Sequence, residues 1–243
     1  MITIYENVDA LGSAVAELFL EKACLAVAER GRFTVSLAGG QTPQRIYEML
    51  AKPPYSHQIP WEGIHIYWGD ERYVPADDIR SNQLMARKAF LDHVPIPQEQ
   101  IYPIVCNSTP EQAAKEYEEV IASTFAEAEP QFDFIFLGLG SDGHTASLFP
   151  NTSVLREKKH WTGHVYLPEL DSHRVTLTAP LINQARTIAF LVTGDSKAQI
   201  VREVLEGPQD HLRLPSQMIA PENGELFWFL DQGASSLLSA NKK

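Results

Sequence analysis

Cysteine is nearly absent from this chain of 243 residues: Cys24 and Cys106 stand far apart and outside any Cys-x-x-Cys pair, which excludes a disulfide framework and a thiolate metal knuckle. Positive charge is also short. Twenty Lys and Arg against 31 Asp and Glu leave a net charge of −11, so the chain lacks the basic face that nucleic-acid phosphates require. No apolar run approaches the ~18 residues of a membrane span, and the first residues, MITIYENVDALGSAVAELF, carry no basic segment ahead of their apolar ones. These absences predict a cytoplasmic protein with neither a nucleic-acid nor a membrane partner. Glycine and proline, at 14 and 16, are too few for a collagenous or low-complexity chain, while 44% hydrophobic residues suffice for a buried core.

Short β-branched or aromatic runs alternate with stretches of helical period. The runs are ITIY (2–5), FTVSLA (33–38), IHIYWG (64–69), FDFIFLG (132–138), RVTLT (174–178), TIAFLVTG (187–194) and LFWFL (226–230). Strand alternating with helix predicts an α/β fold with a mostly parallel central sheet flanked by helices on both faces, in one domain over residues 1–243. The runs at 33–38, 132–138 and 187–194 are almost continuously apolar, as strands covered on both faces must be, and are placed centrally. Helix starts are read at Asp9, at Thr42 with Pro43, at Ser81, at Thr109 with Pro110 and Gln112, and at Asp195. The stretch 151–172 is assigned to no element.

Three segments carry candidate chemistry. SLAGGQTPQRIYEML runs from a buried strand through Gly39 and Gly40 into a helix, an arrangement that exposes backbone N–H groups and the positive end of the helix dipole to an anion. Arg45 and Lys197 are expected in first helical turns, where a cation opposes the dipole and a bound anion would remove the conflict. FLGLGSDGHTASLFP holds Gly138, Gly140 and Gly143 in G-x-G-x-x-G spacing, but Pro150 cuts short any following helix and no acidic strand end follows about 20 residues on, so a dinucleotide is disfavoured. Its Asp142-Gly143-His144 places an imidazole at the sheet edge where ligands bind in such folds. If a helix starts there, its dipole would keep the ring neutral and able to accept a proton. The third segment, WGDERYVPADDIRSN, reads as a mixed-charge loop that brings Asp70 and Arg72, with Arg80, toward the same edge. No G-x-S-x-G elbow, P-loop or H-E-x-x-H helix is present, and His160 with His164 makes a poor metal pair.

Taken in order, SLAGGQTP (36–43), WGDERYVP (68–75) with Arg80-Ser81-Asn82, LGLGSDGHTASLFP (137–150), RVTLTAPLIN (174–183) and TGDSKAQIV (193–201) resemble the 6-phosphogluconolactonase family. That family lies in the fold group of glucosamine-6-phosphate deaminase/isomerase. The resemblance covers almost the whole chain and implies a Rossmann-like three-layer sandwich. It implies a phosphate site of Gly39, Gly40, Gln41 and Thr42 with Arg174 and Lys197, and it counts Arg80 and Gly143 among the substrate-binding residues. It further implies that His144 is the base that activates water, that Asp70 and Arg72 line the reacting end of the sugar, and that Asp142 positions the histidine or the substrate. The implied reaction is hydrolysis of 6-phospho-D-glucono-1,5-lactone, a step of the oxidative pentose phosphate pathway, by a monomer or small homo-oligomer with no cofactor and no metal. Gln41 departs from the serine common in such loops. In the deaminases a glutamate precedes the proline of the Gly-His segment, whereas Phe149 stands here. A sugar-phosphate sensor on the same fold is the remaining reading, and a sensor has no need of His144 beside Asp142.

Overall fold

In the computed structural model of the chain, which describes residues 1–125 and 129–239, the three continuously apolar runs lie in the interior of a sheet. In chain order the strands are β1 (Ile2–Tyr5), β2 (Phe33–Leu37), β3 (Ile64–Trp68), β4 (Asp70–Arg72), β5 (Phe134–Leu137), β6 (Thr162–Leu167), β7 (Ser172–Leu177), β8 (Thr187–Val192) and β9 (Glu225–Asp231). The helices are α1 (Val8–Arg30), α2 (Gln41–Leu50), α3 (Tyr55–Gln58), α4 (Asn82–Ala89), α5 (Pro110–Phe125), α6 (Ala179–Asn183), α7 (Ala198–Glu206) and α8 (Gln232–Ser235). The main sheet runs β1-β9-β8-β5-β2-β3, with every pairing parallel. Successive side chains of a strand point to opposite faces. Every residue of β2, β5 and β8 is buried, so helices and loops cover both faces of the sheet, as predicted.

A second, antiparallel sheet of order β4-β7-β6 departs from the sequence expectation. RVTLT belongs to this sheet, DER is a short strand where a loop was read, and the unassigned stretch 151–172 contains β6. Gly69 joins the two sheets: its N–H donates to the Leu37 carbonyl of β2 at 2.9 Å and its carbonyl accepts from Leu177 of β7 at 2.8 Å. The main-sheet strand β3 is thereby turned within one residue into β4. α5 packs against β6 and β7.

Three helix starts also differ. α1 is capped by Asn7, whose side chain accepts from the Asp9 and Ala10 N–H groups at 3.0 Å, so Asp9 lies inside the helix. α2 is entered through Gly40 at φ 107 and the turn before α7 through Gly194 at φ 94; neither Thr42 nor Asp195 supplies a side-chain cap. Glycine adopts that backbone without the steric cost any other residue would bear. Thr42 instead shares a 2.7 Å hydroxyl hydrogen bond with Thr193, tying the loop after β2 to the loop after β8. Ser81 caps α4 as read, its Oγ accepting from Leu84 N–H at 3.1 Å. Among the described residues no helix is long and apolar enough to cross a membrane.

Candidate active site

Ligands of open α/β sheets bind beyond the carboxyl ends of the strands, and the loops after β2, β3, β5 and β8 meet there around a cavity of about 380 Å³. Gly39 and Gly40 enter from the first loop, Gly138 to Ser141 and His144 to Ala146 from the loop after β5, and Lys197 from the loop after β8; Asp70, which directly follows the β3 turn, enters with Arg72 and Arg174 from the small sheet. The cavity is therefore built between the two sheets.

No helix begins at His144, so the expected helix dipole is not there; the next helical turn is Ser153–Arg156. A carboxylate holds the ring instead. His144 Nδ1 lies 2.5 Å from Asp142 Oδ1, which also accepts the His144 backbone N–H at 3.1 Å. Burial raises the Asp142 carboxyl, but its hydrogen bonds to the His144 ring and backbone, together with the charge of His144, outweigh it and leave the acid below its ordinary value. An ionised carboxylate only accepts, so Nδ1 carries a hydrogen; whenever the ring is neutral, Nε2 is then the nitrogen with the lone pair that can take a proton. Gly140 makes room: a Cβ there would stand 2.1 Å from His144 Nδ1. Phe149 covers the imidazole, with ring centroids 4.0 Å apart and planes inclined by 29°.

Positive charge is concentrated opposite. Arg72 and Arg174 are directly paired across β4 and β7, an arrangement that destabilises an antiparallel pair unless an anion relieves it. Burial lowers the Arg174 guanidinium below its usual value, and among the described residues its buried Nε has no hydrogen-bond partner. Arg72 donates from Nη1 to the Arg80 carbonyl. Lys197 donates from Nζ to the Leu139 carbonyl at 2.7 Å, and burial holds its ammonium below the ordinary lysine value against the pull of Asp142. These groups face Asp70, only 9% exposed, whose Oδ2 accepts from Ser147 Oγ at 2.6 Å and whose Oδ1 accepts from Asn82 Nδ2 at 3.3 Å.

Of the residues singled out in the sequence, Gly39, Gly40, Asp70, Arg72, His144, Arg174 and Lys197 line this one cavity, and Asp142 reaches it through His144. Five others do not line it. Arg80 is exposed and forks onto Asp78 at 2.9 and 2.7 Å, contributing only its carbonyl to Arg72. Gly143, at φ 85, faces Leu214, which a Cβ would meet at 2.6 Å. Gln41 and Thr42 stand behind Gly40, where the helix start leaves their backbone N–H groups without intrahelical acceptors. Arg45, expected near the anion, is exposed and pairs with Asp9 at 3.5 Å.

Sequence reasoning missed the supporting side chains. Asn82 presses on Gly39 so closely that a Cβ there would stand 2.0 Å from its Oδ1. Glu71, buried at 3% exposure, accepts from the N–H groups of Arg72, Asn82 and Gln83 at 2.7 to 2.8 Å and so locks β4 to the start of α4. Burial raises its carboxyl despite those three donors. Ser147 and Phe149 lie inside the motif that held His144, but a one-dimensional pattern does not reveal which neighbour a side chain reaches.

The sequence matches the family of glucosamine-6-phosphate isomerases/6-phosphogluconolactonase over residues 6–228. It is similar to the 6-phosphogluconolactonase of Synechocystis sp., with 46% identity over 219 residues that cover 88% of each chain. The 6-phosphogluconolactonase of Nostoc sp. is 38% identical over 98% of both chains. The fold resembles the solved structure of the 6-phosphogluconolactonase from Trypanosoma brucei, with a TM-score of 0.87 and 28% identity over 98% of each chain.

Proposed function

The chain belongs to the glucosamine-6-phosphate isomerase/6-phosphogluconolactonase family, and from that membership we propose that it hydrolyses 6-phospho-D-glucono-1,5-lactone to 6-phospho-D-gluconate with a water activated by His144. Lactone hydrolysis is the activity named for the curated relatives that match most of its length. The observation that carries the assignment of the base is the Asp142–His144 pair, which leaves Nε2 as the one ring nitrogen able to accept a proton.

In this mechanism the phosphate is held by Lys197, Arg174 and the backbone around Gly39 and Gly40, and it supplies binding energy remote from the reacting carbon. Nε2 takes a proton from water as the water oxygen bonds to C1 of the lactone. Charge developing on the carbonyl oxygen is met by Arg72, and one such donor is commonly worth about 2.7 to 4 kcal/mol. The tetrahedral intermediate then collapses: the bond from C1 to the ring oxygen breaks, and that oxygen leaves with the proton returned by the imidazolium as the C5 hydroxyl. No covalent enzyme intermediate is required. Phe149 against His144 supports hydrolysis over proton shuttling between two sugar carbons, because it puts a hydrocarbon ring where a second acid would be needed.

The test is turnover of freshly generated phosphorylated lactone, corrected for spontaneous opening, by wild type and His144→Ala, with unphosphorylated gluconolactone as control. The base assignment predicts a kcat loss on the order of 10² to 10⁴-fold for His144→Ala and little change in affinity for 6-phosphogluconate. Full activity in that variant would remove His144 from its role.

A further inference from the structure

The segment after His144 makes two contacts to the groups at the reacting end of the cavity. Ser147, fully buried, donates from Oγ to Asp70 Oδ2 at 2.6 Å, and its backbone N–H is held by Thr176 Oγ1 at 3.1 Å. Two residues on, Phe149 lies over the face of His144. Ser147 itself lies in a tight turn over residues 145–148, with Leu148 N–H donating to the Thr145 carbonyl at 2.9 Å. Thr145 Oγ1 fastens the turn to the Gly138 carbonyl at 2.8 Å, and Leu148 anchors it in the core. The first central residue, Ala146, sits at φ 47, a left-handed conformation usually taken by glycine. Such a conformation persists in another residue only where the surroundings over-determine it.

Resting on the functional reading above, we propose that Ser147 and Phe149 are positioning residues, and that this strained turn fixes the Asp70 carboxylate and the His144 imidazole against each other. Ser147 and Asn82 together leave each carboxylate oxygen of Asp70 with a donor, so the group cannot rotate away from the cavity. Phe149 does more than confine the imidazole. The negative face of a phenyl ring attracts a cation, so its contact strengthens when Nε2 takes the proton of water and the ring becomes imidazolium. An interaction stronger in the transition state than in the ground state raises kcat rather than lowering KM.

The experiment compares wild type, His144→Ala, Ser147→Ala, Phe149→Leu and Phe149→Tyr for kcat and KM on the phosphorylated lactone, with calorimetric affinity for 6-phosphogluconate as the check that each variant is folded. Ser147→Ala and Phe149→Leu should lower kcat on the order of 10 to 100-fold, the scale of a displaced reacting group. Their KM and product affinity should stay within about two-fold, and Phe149→Tyr, which restores the ring face, should recover most of the rate. The proposal is overturned if either variant keeps wild-type kcat, if the loss appears in KM and product affinity together, or if Phe149→Tyr is as slow as Phe149→Leu. If wild type itself does not turn over the lactone, the functional reading falls and takes this proposal with it. If wild type is active and only His144→Ala is impaired, the reading stands and this proposal alone fails.

Discussion

At the scale of single residues, the site depends on charges held where water would rather keep them. Burial lowers the ammonium of Lys197 from the lysine value of 10.5, so without a ligand this side chain discharges at lower pH than a free lysine does. A phosphate favours the charged form, and binding energy is lost as rising pH neutralises the lysine. Affinity for 6-phosphogluconate, measured by calorimetry, should therefore weaken on the alkaline side before an ordinary lysine would titrate. Lys197→Arg should bind with no such decline, since a guanidinium stays charged throughout that range. An equal alkaline loss in the two proteins would separate Lys197 from the phosphate. Glycine matters at the same scale through the side chain it lacks: Gly140→Ala would push a methyl to 2.1 Å from His144 Nδ1 and break the Asp142 contact. A kcat loss on the order of 10²-fold with circular dichroism unchanged is the expected outcome.

At the scale of elements, two kinds of connection build the site. The loops after β2 and β8 turn at positive-φ glycines, and Thr42 at the start of α2 ties the first to Thr193 of the second, while the loop after β5 turns at Gly143 and again at Ala146. Replacing Ala146 by glycine relaxes the left-handed backbone, which favours the fold by about 1 kcal/mol or more, but frees the turn in the unfolded chain and loosens it in the folded one. The expected outcome is a melting temperature no lower than that of wild type with a reduced kcat. A lower melting temperature with full kcat would mean that the turn is only structural. β4 is the other device. Three residues long, it carries Asp70, Glu71 and Arg72, and Glu71 beneath it binds the first backbone N–H groups of α4.

Over the whole molecule, a net charge of −11 repels an anion, while Arg72, Arg174 and Lys197 gather positive charge around the cavity they line. Those cations act from a few ångströms, where an ion pair forms, while the acidic surface acts over distances that ~0.15 M salt already screens at about 8 Å. Above about 0.15 M salt that distant repulsion is already screened, so a further rise in ionic strength acts on the local attraction alone, and KM for the phosphorylated lactone should rise between about 0.15 M and higher salt. A constant KM would count against Arg174 and Lys197 as phosphate ligands. The same scale explains why Arg72 and Arg174 meet. They are 102 positions apart in the chain, and only the antiparallel pairing of β4 with β7 sets them side by side.

The order of apolar runs determined by itself the parallel sheet and its central strands, because a strand covered on both faces has room for few polar residues, and in β2, β5 and β8 only Thr34, Ser36 and Thr187 interrupt the apolar run. The glycine loops and His144 were legible for a related reason: in such a sheet every strand's carboxyl end lies on one edge, so residues just after strands converge. Only the tertiary structure decided the rest. The second sheet is mixed in polarity: β4 is three charged residues and β6 reads TGHVYL, so neither prints an apolar run, and Gly69 between β3 and β4 looked like the start of a loop. Arg80, which the resemblance counts as a substrate ligand, is held by Asp78, while Phe149 stands out in the sequence only for replacing an acid and Ser147 not at all, yet they reach His144 and Asp70. Which partner a side chain finds depends on contacts between distant segments, and a linear pattern of residue types contains the segments but not their pairing.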